Sequence, residues 1–334
     1  MPAGVTFLLV LVVVVAILFD YINGFHDTAN AIATSVSTRA LSPSHAILMS
    51  ATANFVGALS GTAVAKTIAS GIANTPSGDA GQIIVIAALL GAIAWNLLTW
   101  RLGIPSSSSH ALIGGLIGAV IAASGVEALK PDGIRDRVLV PLVTSPLLGV
   151  VIGFFLMVTL LNVFQRMHPR KLNDRFRRLQ VLSAAFMAFS HGSNDAQKTM
   201  GIVTLALVAA GLIPEPVVPI WVILMAATAI SLGTAAGGWR IIRTMGQRVV
   251  KLDPVHGFAA ETTAATIILG ASHFGMPVST THVIATAIMG VGASDRLSAV
   301  RWGVAGNIVT AWILTIPASG AVAWLSWQVL SRVL

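Results

Sequence analysis

The sequence predicts an all-α integral membrane protein made of two inverted-topology repeats, with about 10–12 transmembrane segments that include broken or re-entrant helices. Three observations carry this. First, of 334 residues 55% are hydrophobic and only 10% charged, with mean hydropathy +0.86, whereas soluble domains carry roughly 25% charged residues. Second, the runs Ala80 to Trp100, Leu102 to Val126, Val138 to Gln165, Pro216 to Trp239, Thr262 to Ser294 and Trp302 to Ser331 hold no Asp, Glu, Lys or Arg. Each reaches or exceeds the roughly 20 residues that span a bilayer as helix. Third, four landmarks of the first half return in the same order in the second. An outer-membrane barrel, with its short alternating segments, is excluded.

The first segment, ending at Asp20, has the apolar core of a signal peptide but neither a basic start nor a small-x-small cleavage site. It reads as a retained first transmembrane helix with its N-terminus outside. The net charge of +8 would point to nucleic acid in a soluble domain, but the charges are placed otherwise. Arg166, Arg170, Lys171, Arg175, Arg177 and Arg178 cluster between the halves, and Arg240, Arg243, Arg248 and Lys251 form a second group. Both read as cytoplasmic loops under the positive-inside rule, and no nucleic-acid partner is expected. With no cysteine there is no disulfide framework, thiolate metal site or cysteine nucleophile.

The repeat defines the organisation. Gly24-Phe-His-Asp27-Thr-Ala-Asn30 is answered by Gly192-Ser-Asn-Asp195-Ala-Gln-Lys198, and Met49-Ser-Ala-Thr-Ala53 by Met225-Ala-Ala-Thr-Ala229. Gly103-Ile-Pro105-Ser-Ser-Ser-Ser-His110 is answered by Gly275-Met-Pro277-Val-Ser-Thr-Thr-His282, and Thr144-Ser-Pro146 by Thr315-Ile-Pro317. The offsets run from 168 to 176 residues. Residues 1–163 therefore form one transmembrane repeat, 164–180 a basic cytoplasmic loop and 181–334 the second repeat. If each half crosses the membrane an odd number of times, the second is inverted relative to the first. That architecture belongs to secondary transporters, whose sites lie at midplane on corresponding elements of the two halves.

The repeated motifs are where chemistry is expected. A carboxylate at the bilayer centre costs about 2.5–3.5 kcal/mol on insertion scales, so Asp27 and Asp195 need a compensating partner. A helix cap is the plain alternative. At i, i+3 spacing Asn30 shares a face with Asp27 and Lys198 with Asp195, so each pair can address one coupling ion or proton. In the second motif Pro105 and Pro277 interrupt the incoming helix. Ser107, Ser108 and Ser109, and Ser279, Thr280 and Thr281, then stand at a helix start with free N–H groups, where hydroxyls and the helix dipole suit a tetrahedral oxyanion. His110 and His282 follow directly; with His26, His191 and Asn194 they are supporting candidates rather than ligands. Glu261, Lys66 and Arg101 are weaker candidates. The pairs Gly57/Gly61, Gly114/Gly118, Gly149/Gly153 and Gly233/Gly237 read as helix-packing surfaces.

Other classes fit poorly. Adjacent Ser109 and His110 do not face each other on a helix, and no Gly-x-Ser-x-Gly elbow occurs, so the chain is not expected to be an enzyme. No P-loop is present, which excludes an ATP-driven pump, and no filter signature supports a channel.

At the paired Asp and hydroxyl motifs the sequence resembles the inorganic phosphate transporter (PiT) family, which includes sodium-phosphate symporters. The resemblance spans both halves. It implies inverted repeats, phosphate held between the two hydroxyl-bearing tips, coupling ions near the two Asp residues, and a homodimer in the plasma membrane. Carried over, Asp27, Asn30 and Ser107 to Ser109 match the first-half site, and Asp195 with Ser279 to Thr281 the second. Lys198 departs: the sodium-coupled branch has Asn there, so an ammonium beside Asp195 would replace one sodium. With His26 in place of an Asn, this resembles the proton-coupled branch, which carries phosphate, often as a metal-phosphate complex. No tightly bound cofactor is expected. A sodium-phosphate symporter, or a carrier of another oxyanion such as sulfate, is the alternative.

Overall fold

A computed structural model describes residues 6–334, and among these residues the fold is all helical; Met1 to Val5, the start of the expected first span, lie outside them. In order, the helices are α1 (Phe7–Ser37), α2 (Pro43–Ala58), α3 (Ala63–Ser70), α4 (Asp79–Leu102), α5 (Ser108–Ser124), α6 (Pro131–Ile134) and α7 (Val140–Val163). They continue as α8 (Pro169–Ala209), α9 (Ile220–Ala236), α10 (Trp239–Arg243), α11 (Pro254–His273), α12 (Thr280–Asp295) and α13 (Trp302–Val333).

Length and apolarity mark α1, α4, α13 and the stretch from α6 through α7 as long enough to cross a membrane. Two further spans arise if the bent pairs α2–α3, kinked by 69°, and α9–α10, kinked by 62°, each count as one. The expected 10–12 segments thus resolve into fewer full-length spans and several shorter helices. The uncharged run Thr262 to Ser294 is broken, as the Pro277 motif predicts, and the runs on either side of Arg101 meet at a matching break. Residues 103–107 separate α4 from α5, and 274–279 separate α11 from α12.

Glycine rather than proline ends the incoming helices. Gly103 and Gly275 both take φ +67°, a conformation open to glycine. The N–H of Gly103 bonds Trp100 O and that of Ile104 bonds Thr99 O; Gly275 to Ser272 and Met276 to Ala271 repeat the pattern. Pro105 and Pro277 lie downstream, in the extended segment that follows.

Two expectations about loops are corrected. The segment 164–180 is a short turn followed by α8 from Pro169. Its six basic residues are exposed on either side of buried Phe176 and Gln180, and with no breaker after Pro169 the helix simply starts early. The cluster Arg240 to Lys251 likewise includes α10 and a π-helical turn, Thr244–Arg248.

Packing is reciprocal. α1 lies along α9 and α8 along α2; α5 lies along α13 and α12 along α7. The crossings are close because glycines meet backbone. A Cβ on Gly24 would lie 2.3 Å from Ile230 O and one on Gly233 2.0 Å from Tyr21 O; at the other crossing, Gly57 and Gly192 would meet Phe189 O at 2.0 Å and Asn54 O at 2.2 Å. Gly114, Gly118, Gly149 and Gly153 press on α13 and α12 in the same way, whereas Gly61 and Gly237 do not pack against a facing helix. Backbone cannot yield as a side chain can, so Gly233→Ala should cost at least about 1–3 kcal/mol. Gly270→Ala, whose Cβ meets nothing within 4 Å, is the control. A midpoint in detergent that falls for Gly233→Ala alone is the expected result.

Two apolar cores result. One gathers α1 up to Ile22 with α4, α5 and the later part of α8; the other takes α1 from Ala29 with the earlier part of α8, α11 and α12. α1 and α8 therefore pass from one core to the other at their Asp motifs, and a polar band separates the two.

Candidate functional site

Both Asp motifs lie inside uninterrupted helices. Asp27 is in the second half of α1 and Asp195 well within α8, so neither is a cap. α1 and α8 also pack on each other, so the motifs are brought together: ligand atoms of Asp27, His191 and Asp195 all lie within 4.8 Å of one another. Such a set could hold a cation through two carboxylates and an imidazole.

Each carboxylate has partners. Asp27 Oδ1 is 2.6 Å from His26 Nδ1, and His26 Nε2 is 3.1 Å from Thr99 Oγ1, itself the acceptor of a hydrogen bond from Ser106. Asp195 meets Lys198 Nζ at Oδ1 and His191 Nε2 at 3.1 Å from Oδ2, and accepts from Thr280 Oγ1 at 3.2 Å. His191 is in turn 3.0 Å from Asn54 Oδ1 through Nδ1, and Asn54 donates to Thr234 Oγ1.

The two helix starts converge on this band. Ser107 Oγ accepts from His110 N and Ser279 Oγ from His282 N, each at 3.2 Å. These two hydroxyls are therefore N-caps, which leaves Ser108, Ser109, Thr280 and Thr281 with N–H groups that no intrahelical carbonyl accepts. All six hydroxyl residues are at most 2% exposed.

Contacts cross between the halves. Lys198 Nζ donates to Ser109 Oγ and, at 3.3 Å, to Val278 O, while Ser109 Oγ donates to Val278 O at 3.1 Å. Asn30 Nδ2 donates to Thr281 Oγ1 at 2.9 Å and to Thr280 Oγ1 at 3.4 Å. The second-half ammonium thus serves the first-half tip, and the first-half amide serves the second. Hydroxyls, free N–H groups and one ammonium around a common point are chemistry suited to a compact, multiply charged oxyanion.

The supporting residues divide. His110 and His282 face each other with ring centroids 4.7 Å apart, and His282 stacks on Trp312 at 3.8 Å. Asn194 turns away, donating to Ser272 Oγ at 2.8 Å and Met276 O at 3.3 Å. Ser272 also lines a cavity of about 430 Å³ with Ser60, Ser193, Gln197 and His273. Glu261 is buried and accepts from Thr34, Gln180 and Ser183. Lys66 and Arg101 are exposed.

One group went unread in the sequence. Asp20 is fully buried, and neither carboxylate oxygen has a hydrogen-bond partner. Its signal was an ionisable residue closing a long apolar run.

Comparison with known proteins gives a consistent result. The profile of PHO4, the phosphate transporter family, matches residues 23–323. A Bacillus subtilis (strain 168) protein named "Probable low-affinity inorganic phosphate transporter" is 48% identical over 327 residues, covering 98% of both chains. A protein of the same name from Rhizobium meliloti (strain 1021) is 47% identical over 320 residues, 95% of each chain. A solved structure named "The sodium-dependent phosphate transporter" superposes with a TM-score of 0.91 at 26% identity, covering 98% of this chain and 100% of that one.

Proposed function

The chain belongs to the phosphate transporter family, and from that premise we propose that it imports inorganic phosphate across the plasma membrane, driven by protons. As a member it is a multi-pass membrane transporter and not an enzyme. Phosphate sits between the tips of α5 and α12, contacted by Ser108, Ser109, Thr280 and Thr281 and by the free N–H groups beside them. The capping Ser107 and Ser279 hold those tips in shape. Asp27, Asn30 and Asp195 form the coupling region. The halves act as inverted repeats, 1–163 and 181–334, which rock about the tips. The working unit is a homodimer, which a mass of two chains in detergent would support.

Lys198 is the observation that carries the coupling assignment. Its ammonium lies where a sodium ion would otherwise bridge Asp195 and the first-half tip, and it delivers one fixed positive charge with no gradient attached. A driving cation must then enter elsewhere, and a proton needs no coordination shell. Sodium is the second reading, because the structural relative is named as sodium-dependent. The cluster of Asp27, His191 and Asp195 could take a metal ion carried with phosphate.

Labelled-phosphate uptake into proteoliposomes tests this. An inward proton gradient should drive accumulation and a sodium gradient should not; the reverse pattern refutes proton coupling. Sulfate competing at equimolar concentration, with arsenate inert, would replace phosphate as substrate.

A further inference from the structure

We propose that Asp20 is the carrier of the coupling proton, in a polar chamber beside the phosphate site made by Asp20, Asn23, Asn96 and Thr199. The inference rests on the proton-coupled reading above and names the group that performs it.

Four carboxylates are fully buried, or nearly so, among the described residues: Asp20, Asp27, Asp195 and Glu261. Three are committed. Asp27 meets His26, Asp195 meets Lys198, His191 and Thr280, and Glu261 accepts three hydrogen bonds. Asp20 alone has no hydrogen bond within 3.5 Å at either oxygen, with Thr199 and Asn23 as the neutral polar side chains that bear on it. A bare buried carboxylate is costly, by several kcal/mol on any scale, and holding a proton removes that cost.

The surroundings are polar and equally unspent. Asn23 Oδ1, both side-chain polar atoms of Asn96 and Thr199 Oγ1 are buried without a partner. On α1, Asp20, Asn23 and Asp27 follow at i, i+3 and i+7, one face of the helix, which puts Asp20 about 10 Å from Asp27 along the axis. α4 runs parallel to α1, since Thr6 bonds Gln82 and His26 meets Thr99. Asn96, one turn before Thr99, therefore stands level with Asn23, nearly one turn before His26. From α8 the side chain that bears on Asp20 is Thr199, next to Lys198.

No fixed cation neutralises Asp20 in advance. The charges that bear on it are Asp195 and Lys198, both on α8 and paired with each other. Of the other helices packed on α1, α9 holds no ionisable residue, α4 only Asp79 and Arg101 at its ends, and α2 only His45. α10 and the turn after it bring Arg240, Arg243 and Arg248, α11 brings His256, Glu261 and His273, and α12 brings His282 and Asp295. These last four elements join the core that α1 enters from Ala29 onward, beyond Asp20. On α1 itself the nearest are His26 and Asp27, already a pair. Asp20 is thus free to change charge, whereas Asp27 and Asp195 would each have to break a pair to do so. In each cycle one proton adds to a carboxylate oxygen of Asp20 from one side and leaves to water on the other, with no other bond changed.

The test reads protons moved per phosphate in proteoliposomes, with a trapped pH-sensitive dye beside labelled phosphate. In Asp20→Asn the ratio should fall by about one, and uptake should lose its response to a pH gradient; Asp20→Glu should keep both. A wild-type ratio in Asp20→Asn overturns the inference, as does a sodium dependence in the wild type that this substitution abolishes. If the wild type moves no proton at all, the coupling reading itself fails, a result distinct from either. Should Asp20→Asn be inert in vesicles, calorimetry of phosphate binding in two buffers of different ionisation enthalpy reads the proton directly. There, uptake on binding should be lower than in the wild type by about one proton, and an unchanged value overturns the assignment.

Discussion

Lys198→Met abolishes phosphate uptake and lowers stability, and the two losses separate in a second variant. The ammonium contacts Asp195, Ser109 and Val278 O, all of them at most 3% exposed. Removing one member of a buried pair leaves the other charge uncompensated, at a cost of about 3–5 kcal/mol. Asp195 then keeps only His191 and Thr280. In Asp195→Asn/Lys198→Met no bare charge remains, so most of the lost stability returns, whereas the cation facing phosphate does not. Recovered folding without recovered uptake is the expected result; a transporting double variant would make the pair purely structural. Lys198→Asn goes further, because it opens the position to a diffusible ion. Uptake should weaken and gain a dependence on sodium, measurable as a rise in rate with external sodium that the parent lacks.

What the sequence disclosed about this region depended on duplication. Asp27, Asp195 and the two hydroxyl tips stood out because polar residues recurred at matched places within apolar runs. Their connection could not be read that way. Nothing in either motif says that Lys198 of one half reaches Ser109 of the other, or that Asn30 reaches Thr281. Those contacts follow from the exchange of helices between halves, which is a property of packing. Gly24 and Gly192 stood in the sequence only as the first residues of the two Asp motifs. They are the points where α1 crosses α9 and α8 crosses α2, and a glycine that admits a neighbouring backbone is locally indistinguishable from one that bends the chain. Asp20 was hidden by the same filter that found the rest. Ala188, 168 residues on, has no carboxylate, so a search for recurring groups passed over Asp20.

The hydroxyl tips should divide into groups that bind and groups that only shape. Ser107 and Ser279 each accept the N–H of a histidine three residues on. Replacing either by Ala should cost about 1 kcal/mol in stability, the usual worth of a cap, and little in uptake once the helix start holds. Ser109 and Thr281 are placed differently. Their hydroxyls are engaged with Val278 O and Lys198, and with Asn30, and can turn to an oxyanion between the tips. A hydrogen bond to a charged group contributes about 1.5–3 kcal/mol, so losing two should raise KM for phosphate by roughly 10²–10⁴-fold. Ser109→Ala/Thr281→Val is the variant, with the unfolding midpoint in detergent measured beside it. The valine keeps the threonine shape, so a large rise in KM at near-parental stability isolates the hydroxyls. If Ser107→Ala raised KM as much as the double variant, the capping hydroxyl would itself be a phosphate ligand, and the tip would open one residue earlier than its hydrogen bonds indicate. The same comparison in the second half, Ser279 against Thr281, asks whether both halves share the load. Of the tip hydroxyls Lys198 touches only Ser109, so the ammonium already supplies that hydroxyl with charge. The Thr281 hydroxyl has only the neutral amide of Asn30 behind it. Thr281→Val should therefore cost more than Ser109→Ala when each is made singly.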